Sequence, residues 1–521
     1  MTLTMKRILL SALMFFLFIN MFAQSPDDIL KYSYFQQHGT ARNIAIGGAM
    51  ASLGGDISAM YVNPAGLGLY KTSEVVISPG FQFNNNKADF RSTSNSSSRS
   101  GFDLGLTGLV LGTKNQYSRN RSEAYGIAIN QIANFNNTIT YTGQNNLSSY
   151  SEQFAEEIQR NGYSDLDLQN TNSPVPFGSS QAYYTYLVDI NTDSATGQST
   201  VLGAPESIIN AGGSLNQTKT VKTTGGIYEV ALSYAANAND KFYYGVTLGL
   251  PIVSYTRNNF FREEAGANTT TGDFAYSEWN DKLKTSGVGV NVKLGLLFKP
   301  TDYVRLGFAI HSPTYYTLTD EESSNMTTAL RNPDEVFSTT SATFTDGGIG
   351  STRYITNTPW KFVAGASYVL HEVSDVHQQR GFITADAEYV TYPSAAYKSD
   401  GQYEDGSEDT YYANVKSVIK DYYKSAFNFR LGGELKFNTL AVRLGGAYYG
   451  NPYSDAALKS SITQLSGGLG YRNKGVFIDL TYAQIMNKDV NFPYRLQDKA
   501  NTFATYKNNR GNVLLTLGFK I

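Results

Sequence analysis

The chain has 521 residues, with 42 Lys and Arg against 44 Asp and Glu for a formal net charge of -2, so charge gives no argument for nucleic-acid binding. It contains no cysteine, which excludes a disulfide scaffold and a thiolate metal site. Mean hydropathy is -0.30, yet 38 Tyr, 29 Phe and 48 Gly are unusual for a soluble domain and common in a membrane β-barrel, where aromatic girdles mark both interfaces.

At the start, Lys6 and Arg7 precede Ile8 to Phe22, apolar apart from Ser11 and Asn20, and Ala23-Gln24-Ser25-Pro26 follows. The apolar run is shorter than the roughly 18–20 residues a membrane helix needs. Residues 1–23 therefore read as a secretion signal cut after Ala23, and the absence of a nearby Cys excludes a lipoprotein. Residues 24–72 are dominated by small side chains: Thr40-Ala41-Arg42-Asn43-Ile44-Ala45-Ile46-Gly47-Gly48-Ala49-Met50-Ala51-Ser52-Leu53-Gly54-Gly55-Asp56, then Tyr61-Val62-Asn63-Pro64-Ala65-Gly66-Leu67-Gly68. Pro64 fixes its own φ and pushes Asn63 out of the helical region, so Asn63-Pro64 ends a short helix. Gly66 and Gly68 permit the reversal that follows. Taken alone, Asn-Pro-Ala-Gly reads as a turn.

From residue 73 onward, apolar residues alternate with small or polar ones over the 9–11 positions of a membrane β-strand. Phe427, Phe429, Leu431, Gly433, Leu435 and Phe437 alternate with Asn428, Arg430, Gly432, Glu434 and Lys436. Val288–Leu296, Val304–Ile310 and Val476–Tyr482 do the same. The pattern predicts about fourteen strands, near 73–84, 101–112, 123–135, 226–236, 242–254, 285–298, 302–311, 358–369, 381–391, 425–437, 440–449, 461–472, 475–485 and 512–521. Connections alternate in length. Ala236–Lys241, Lys299–Thr301, Asn438-Thr439 and Asn473-Lys474 are short; 113–122 and 370–380 are somewhat longer. Between them lie 85–100, 136–225, 255–284, 312–357, 392–424, 450–460 and 486–511. Short periplasmic turns against long extracellular loops are a property of outer-membrane barrels, whereas a β-sandwich has no reason to alternate by parity. The expected fold is all-β: a transmembrane antiparallel β-barrel over 73–521. Fourteen strands enclose a lumen too wide for side chains to fill, so residues 24–72 are expected to plug it.

The order of signal, Gly/Ala-rich segment, Asn-Pro-Ala-Gly and barrel resembles the outer-membrane transport family of long-chain fatty acid, toluene and other hydrophobic-compound transporters. The resemblance is sharpest over about 35 residues. It implies an N-terminal hatch of short helices inside the lumen, containing Arg42, Gly47, Gly48 and Asp56 and anchored by Asn63, Pro64, Ala65 and Gly66. It also implies lateral release through a kinked third strand. Here the apolar parity of that strand switches at Asn130-Gln131, as a bulge makes it do. Ligand capture in the family uses an apolar groove between protruding loops, for which Phe260, Phe261, Phe274 and Trp279 are the candidates. The lumen charges include Arg305, Asp386, Arg430 and Glu434. They are expected to form a paired network holding the plug, with Arg305 and Arg430 as alternatives for meeting a ligand carboxylate.

No catalytic constellation stands out: there are four His (His38, His311, His371 and His377), and no P-loop, G-x-S-x-G or HExxH motif. No enzyme activity, metal or cofactor is expected, and haem uptake finds no axial-ligand motif. The resulting expectation is a Gram-negative outer-membrane transporter for hydrophobic small molecules, long-chain fatty acids first and aromatic hydrocarbons second. Its surroundings would be outer-membrane lipid and lipopolysaccharide, and the barrel-assembly machinery would insert it; no nucleic acid is expected. The rival reading is a surface docking or secretion-associated barrel, because loop 136–225, with a helix expected at Glu152–Arg160, is longer than transport explains.

Overall fold

The computed structural model describes residues 26–114, 122–170, 175–266, 272–331, 334–345, 347–370, 380–401, 407–455, 458 and 460–521. The expected secretion signal and the first two residues of the expected hatch lie outside the described residues. Fourteen antiparallel strands form the barrel. They are β1 (Glu74–Ile77 and Pro79–Phe90), β2 (Thr93–Leu104 and Thr107–Lys114), β3 (Ser122–Asn134 and Asn137–Asn145), β4 (Leu215–Ala238), β5 (Phe242–Ala265), β6 (Phe274–Phe298), β7 (Val304–His311 and Tyr315–Arg331), β8 (Gly350–Asn357 and Lys361–Leu370), β9 (Gly381–Val390 and Ala396–Ser399), β10 (Ala426–Phe437), β11 (Leu440–Tyr449), β12 (Ile462–Asn473), β13 (Val476–Asn491) and β14 (Ala504–Lys520). Each neighbour pairs with the next, and β14 closes on β1 through Glu74↔Lys520 and Gly80↔Leu514.

The side-chain pattern is that of a soluble protein turned inside out. On β5 and β6 the outward positions Val246, Leu250, Ile252, Val288 and Leu294 are exposed, while the inward positions Thr247, Asn291 and Lys293 are buried. On β10, Phe427, Phe429, Leu431 and Leu435 are exposed around buried Asn428, Arg430 and Glu434. A large apolar exterior over a polar, filled interior is stable only in lipid. The chain is therefore a transmembrane barrel. On β5 the apolar outward positions run from Phe242 to Ile252, after which Ser254, Thr256 and Asn258 take over. The strand continues to Ala265, so the barrel wall stands well above the membrane on that side.

That extension corrects the expected loops. Residues 85–100 are not a loop: β1 and β2 form a hairpin whose turn, Arg91-Ser92, has φ of 48° and 65°, the left-handed pair of a two-residue hairpin. Most of 255–284 is paired strand, from Asn259↔Asp281 to Glu264↔Tyr276. Much of 312–357 is also sheet, including an outer strand Asp334–Thr340 on β7. The breaks in β7 and β8 fall at Pro313 and Pro359, where proline removes a ladder donor; there Thr358 N–H donates to Thr314 O at 3.1 Å.

Residues 146–170 and 175–214 form a cap over this extension. Helices Glu152–Asn161, Asp165–Gln169, Phe177–Tyr184 and Glu206–Asn210 and the hairpin Val188–Thr192/Ser199–Gly203 make it up. Tyr150, Phe154, Ile158 and Leu168 pack on Phe261, Phe274, Trp279, Met326, Tyr494 and Leu496. The expected capture groove is thereby corrected: Phe261, Phe274 and Trp279 are buried under the cap, and Phe260 is half-buried beside them. A second roof comes from helix Ser407–Tyr422, between β9 and β10, whose Tyr412, Val415 and Ile419 pack in one cluster with Ile29, Leu30 and Tyr32.

Candidate functional site

The N-terminal segment is short helical turns joined by tight reversals. Helix Ala41–Ala45 is capped by Thr40, whose side chain accepts from Asn43 N–H. Thr40 Oγ1 in turn donates to Asp56 Oδ1 at 3.0 Å, and Asp56 also accepts from Ser58 N–H at 2.9 Å. Gly47 and Gly48 sit at φ of 69° and 79°. At Gly47 only glycine fits for a second reason: a Cβ there would lie 2.5 Å from Gly446 O in the wall.

The segment bonds to the wall around the barrel. Ala41 N–H donates to Thr516 Oγ1 (2.8 Å), Ala51 N–H to Asp386 Oδ2 (2.8 Å), Arg305 Nη1 to Leu53 O (2.9 Å), Asn63 Nδ2 to Leu296 O (3.0 Å) and Tyr61 Oη to Glu229 O (2.8 Å). Asn63 also donates to Ala51 O at 2.6 Å and accepts from Ala65 N–H at 3.2 Å, with Pro64 opening the helical turn Pro64–Leu69. Gly66 O accepts from Gly55 N–H. Most of these groups are buried, with Arg305 and Gly55 partly exposed and Leu296 turning only its backbone inward, so the segment packs against the inner wall at this level.

The lumen charges are mostly paired with each other. Arg443 donates to Glu434 (2.6 Å) and Asp479 (2.5 Å), Arg430 to Glu388 (3.0 Å), Lys293 to Glu229 (2.5 Å), and Arg42 of the segment to Glu434 (3.3 Å). Of the two cations considered for a ligand carboxylate, Arg305 holds the plug backbone and Arg430 holds Glu388.

The wall is interrupted between β2 and β3. β2 and β3 pair from Lys114↔Ser122 to Thr107↔Ile129. Above that level, among the described residues, β2 pairs only with β1 and β3 only with β4. The β3–β4 register shifts between Gln131 and Ala133, a bulge that bends the strand. β3 then runs along the inner face of the β1–β2 hairpin, where Asn84 Nδ2 donates to Asn136 O (2.7 Å) and Asn86 Nδ2 to Thr138 O (2.6 Å). Side chains replace the ladder at the seam: Leu104 N–H donates to Gln131 Oε1 at 2.9 Å. His38 of the plug bridges both sides, with Nε2 2.8 Å from Asp103 Oδ2 and Nδ1 3.3 Å from Asn130 Oδ1.

Beside this seam lies a lumen cavity of about 360 Å³, within the size range of small-molecule sites. Its lining includes Leu30, Phe35, Ile132 and Phe135, and also Asp103, Gln131, Asn508, Arg510 and Asn512. Asn130 is buried at its edge and Gln131 lines it. Sequence reasoning missed Asn508 and Arg510, because 486–511 read as a loop and this stretch is instead inward-facing strand, and it passed over Asn84, the last position of its expected first strand.

No family model and no curated protein matches the chain. Solved structures match in shape. A Pseudomonas aeruginosa FadL homologue superposes on 92% of this chain and 98% of its own, with a TM-score of 0.51 at 12% identity. The P. putida toluene transporter TodX superposes on 93% and 99%, with a TM-score of 0.50 at 12% identity. The chain has the FadL–TodX fold. Within the FadL–TodX fold, the plug, the seam and the cavity form one connected region, because His38 touches the seam and lines the cavity.

Proposed function

We propose that the chain is a channel of the Gram-negative outer membrane for hydrophobic small molecules, with long-chain fatty acids as the first ligand class and aromatic hydrocarbons as the second. The plug (Arg42, Gly47, Gly48, Asp56 and the Asn63–Gly66 turn) closes the straight path, so a ligand in the cavity leaves sideways between β2 and β3 at Asn130-Gln131. Capture, plug movement and release need no energy coupling. The observation that carries this reading is the seam. A side-chain-bridged gap beside a lumen cavity costs a barrel part of its ladder, and it supplies an exit into lipid. A host lacking its own transporter and displaying this chain at its surface should take up labelled long-chain fatty acid above the empty-vector level. Absence of uptake by a correctly assembled barrel would overturn the fatty-acid reading.

The docking alternative keeps one observation in its favour. The cap presents Leu166, Tyr184 and Tyr186 to solvent, with Leu166 80% exposed. Deleting residues 146–214 with uptake intact and loss of a co-purifying protein would favour that reading.

A further inference from the structure

The seam between β2 and β3 is held by side chains, and His38 of the plug reaches both of its banks. Its Nε2 lies 2.8 Å from Asp103 Oδ2 on β2, and its Nδ1 lies 3.3 Å from Asn130 Oδ1 on β3. The Asn130 amide is oriented by its own Nδ2, which is turned to donate to His38 O at 3.5 Å, so its oxygen faces the ring. Both ring nitrogens therefore face acceptors. A neutral imidazole has one N–H and serves one of them; the imidazolium has two and serves both. A second observation points to the same protonation state. The Asp103 side chain is 1% exposed, and a carboxylate buried to that degree needs a positive partner. Among the described residues its ion pair is with His38, while Asn512 (2.6 Å) and Asn134 (3.2 Å) add neutral donors. The charges that act on the ring are Asp103 from β2 and Arg510 from β14. β3 presents neutral Asn130 and Gln131, and the plug presents neutral Gln37 and Asn43.

We propose that the protonated His38 ring is a latch across the β2–β3 seam, and that loss of its second proton releases the seam. The proposal rests on the reading of this seam as the ligand's exit. Above Thr107↔Ile129 the two strands share no ladder among the described residues, so closure there depends on a few side-chain bonds. The bonds from Leu104 N–H to Gln131 Oε1 and from Asn134 to Asp103 do not involve a group that titrates where an imidazole does. The His38 bridge does. With its one proton on Nε2, a neutral ring turns a bare nitrogen to Asn130 Oδ1, and flipping that amide would set its oxygen against His38 O. With the proton on Nδ1, the bare nitrogen faces the Asp103 carboxylate. Either way the plug lets go of one bank. Because only the charged ring serves both, closure is linked to the proton: it is complete at low pH and weakens as pH rises. His38 also lines the cavity beside the seam, so the same event loosens the plug between ligand and exit.

The test follows ring and seam together in the full barrel in lipid nanodiscs. Isotope-labelled histidine reports the protonation of both His38 nitrogens by nitrogen NMR, the signal being assigned by its loss in His38→Gln or, if that variant fails to assemble, in His38→Asn. Spin labels on Ser98→Cys and Lys222→Cys, exposed positions on β2 and on β4 opposite Thr138 of β3, report the width of the seam, and the chain has no cysteine of its own to interfere. At about pH 5.5, below the ordinary imidazole value, both nitrogens should carry protons. As pH rises, the label distance should lengthen in step with loss of one of the two. Release of bound fluorescent palmitate into acceptor liposomes should quicken over the same interval by about tenfold, the weight of one charge-assisted hydrogen bond. In His38→Gln, which can fill one arm only, width and release should not change with pH. A single protonated nitrogen at about pH 5.5, or a ring that keeps both protons to about pH 10, would overturn the latch. So would titration of the ring with an unchanged label distance. Widening without faster release would uphold the latch and overturn the seam as the exit.

Discussion

Arg443 Nε donates to Glu434 Oε2 at 2.6 Å, and Arg42 Nε of the plug reaches that same oxygen at 3.3 Å. One carboxylate on β10 thus joins the wall's internal ion network to the segment that fills the lumen. Arg443 is 1% exposed and also carries Asp479. Removing it leaves two buried carboxylates without their main partner. Arg443→Met should lower barrel stability by about 3–5 kcal/mol, the cost of orphaning a buried charge, seen as a lower unfolding temperature in detergent. A melt like that of the parent would mean water reaches the network.

Arg42→Gln acts on the other arm of this pair. Glu434 keeps Arg443, so the barrel should melt almost as before, while the plug loses one tether. Conductance in planar bilayers should rise, and unaltered conductance would show that the backbone bonds from Ala41, Ala51 and Leu53 hold the plug alone.

Glycine packing gives a separate handle on the plug. A side chain at Gly445 would run into the Ile46 and Gly47 backbone, whereas a Cβ at Gly433 meets only Phe382 O at 3.3 Å. Gly445→Val should displace the plug and raise conductance, and Gly433→Val should not. Equal effects from both would point to general damage of the wall.

The seam can be locked, and the lack of native cysteine makes this clean. A Cβ built at Gly101 lies 3.5 Å from Asn136 Nδ2 across the β2–β3 gap. With cysteines at positions 101 and 136, oxidation should stop uptake and reductant should restore it. Replacing Asn130-Gln131 with an ideal alternating pair should abolish uptake without blocking assembly. Continued uptake by the oxidised double variant would rule out lateral exit at this seam.

Cap opening should depend on pH through Glu263, which stands above the apolar belt on β5. Burial pushes its carboxyl up to about 7, against hydrogen bonds from Ser149 and Gln217 and from Tyr150 N–H that pull it down. A raised carboxyl pKa means the folded cap holds the proton more tightly than the open one. Cap stability is therefore full below the ordinary value of 4.5 and falls as pH rises toward about 7, levelling off above it. Protection of residues 146–161 against hydrogen exchange, corrected for the intrinsic pH dependence of amide exchange, should fall between pH 4.5 and about 7, and Glu263→Gln should flatten that fall. A profile that survives in the Gln variant would assign the effect to another group.

The membrane-crossing parts of the barrel were legible because lipid imposes a strictly local rule. Every second residue must be apolar where the wall meets hydrocarbon, and β10, β11, β12 and β13 begin within one residue of where the alternation places them. The same rule hid the rest. Above Ile252 and beyond Phe83, outward positions face water, so they need not be apolar and the period of two vanishes. The hydrogen-bond ladder nevertheless continues through Asn84–Asn86 and Asn508–Asn512.

By itself, then, the sequence determined the strand number, the side of the wall each membrane residue faces, and a small-residue segment destined for the lumen, since each follows from local periodicity and side-chain size. The tertiary structure alone decided which charges meet, that Phe261 and Trp279 lie under a cap, and that Asn508 and Arg510 share a cavity with Ile132 and Phe135. Those outcomes depend on contacts between residues hundreds of positions apart, brought together only when β14 closes on β1 and β3 turns inside the β1–β2 hairpin.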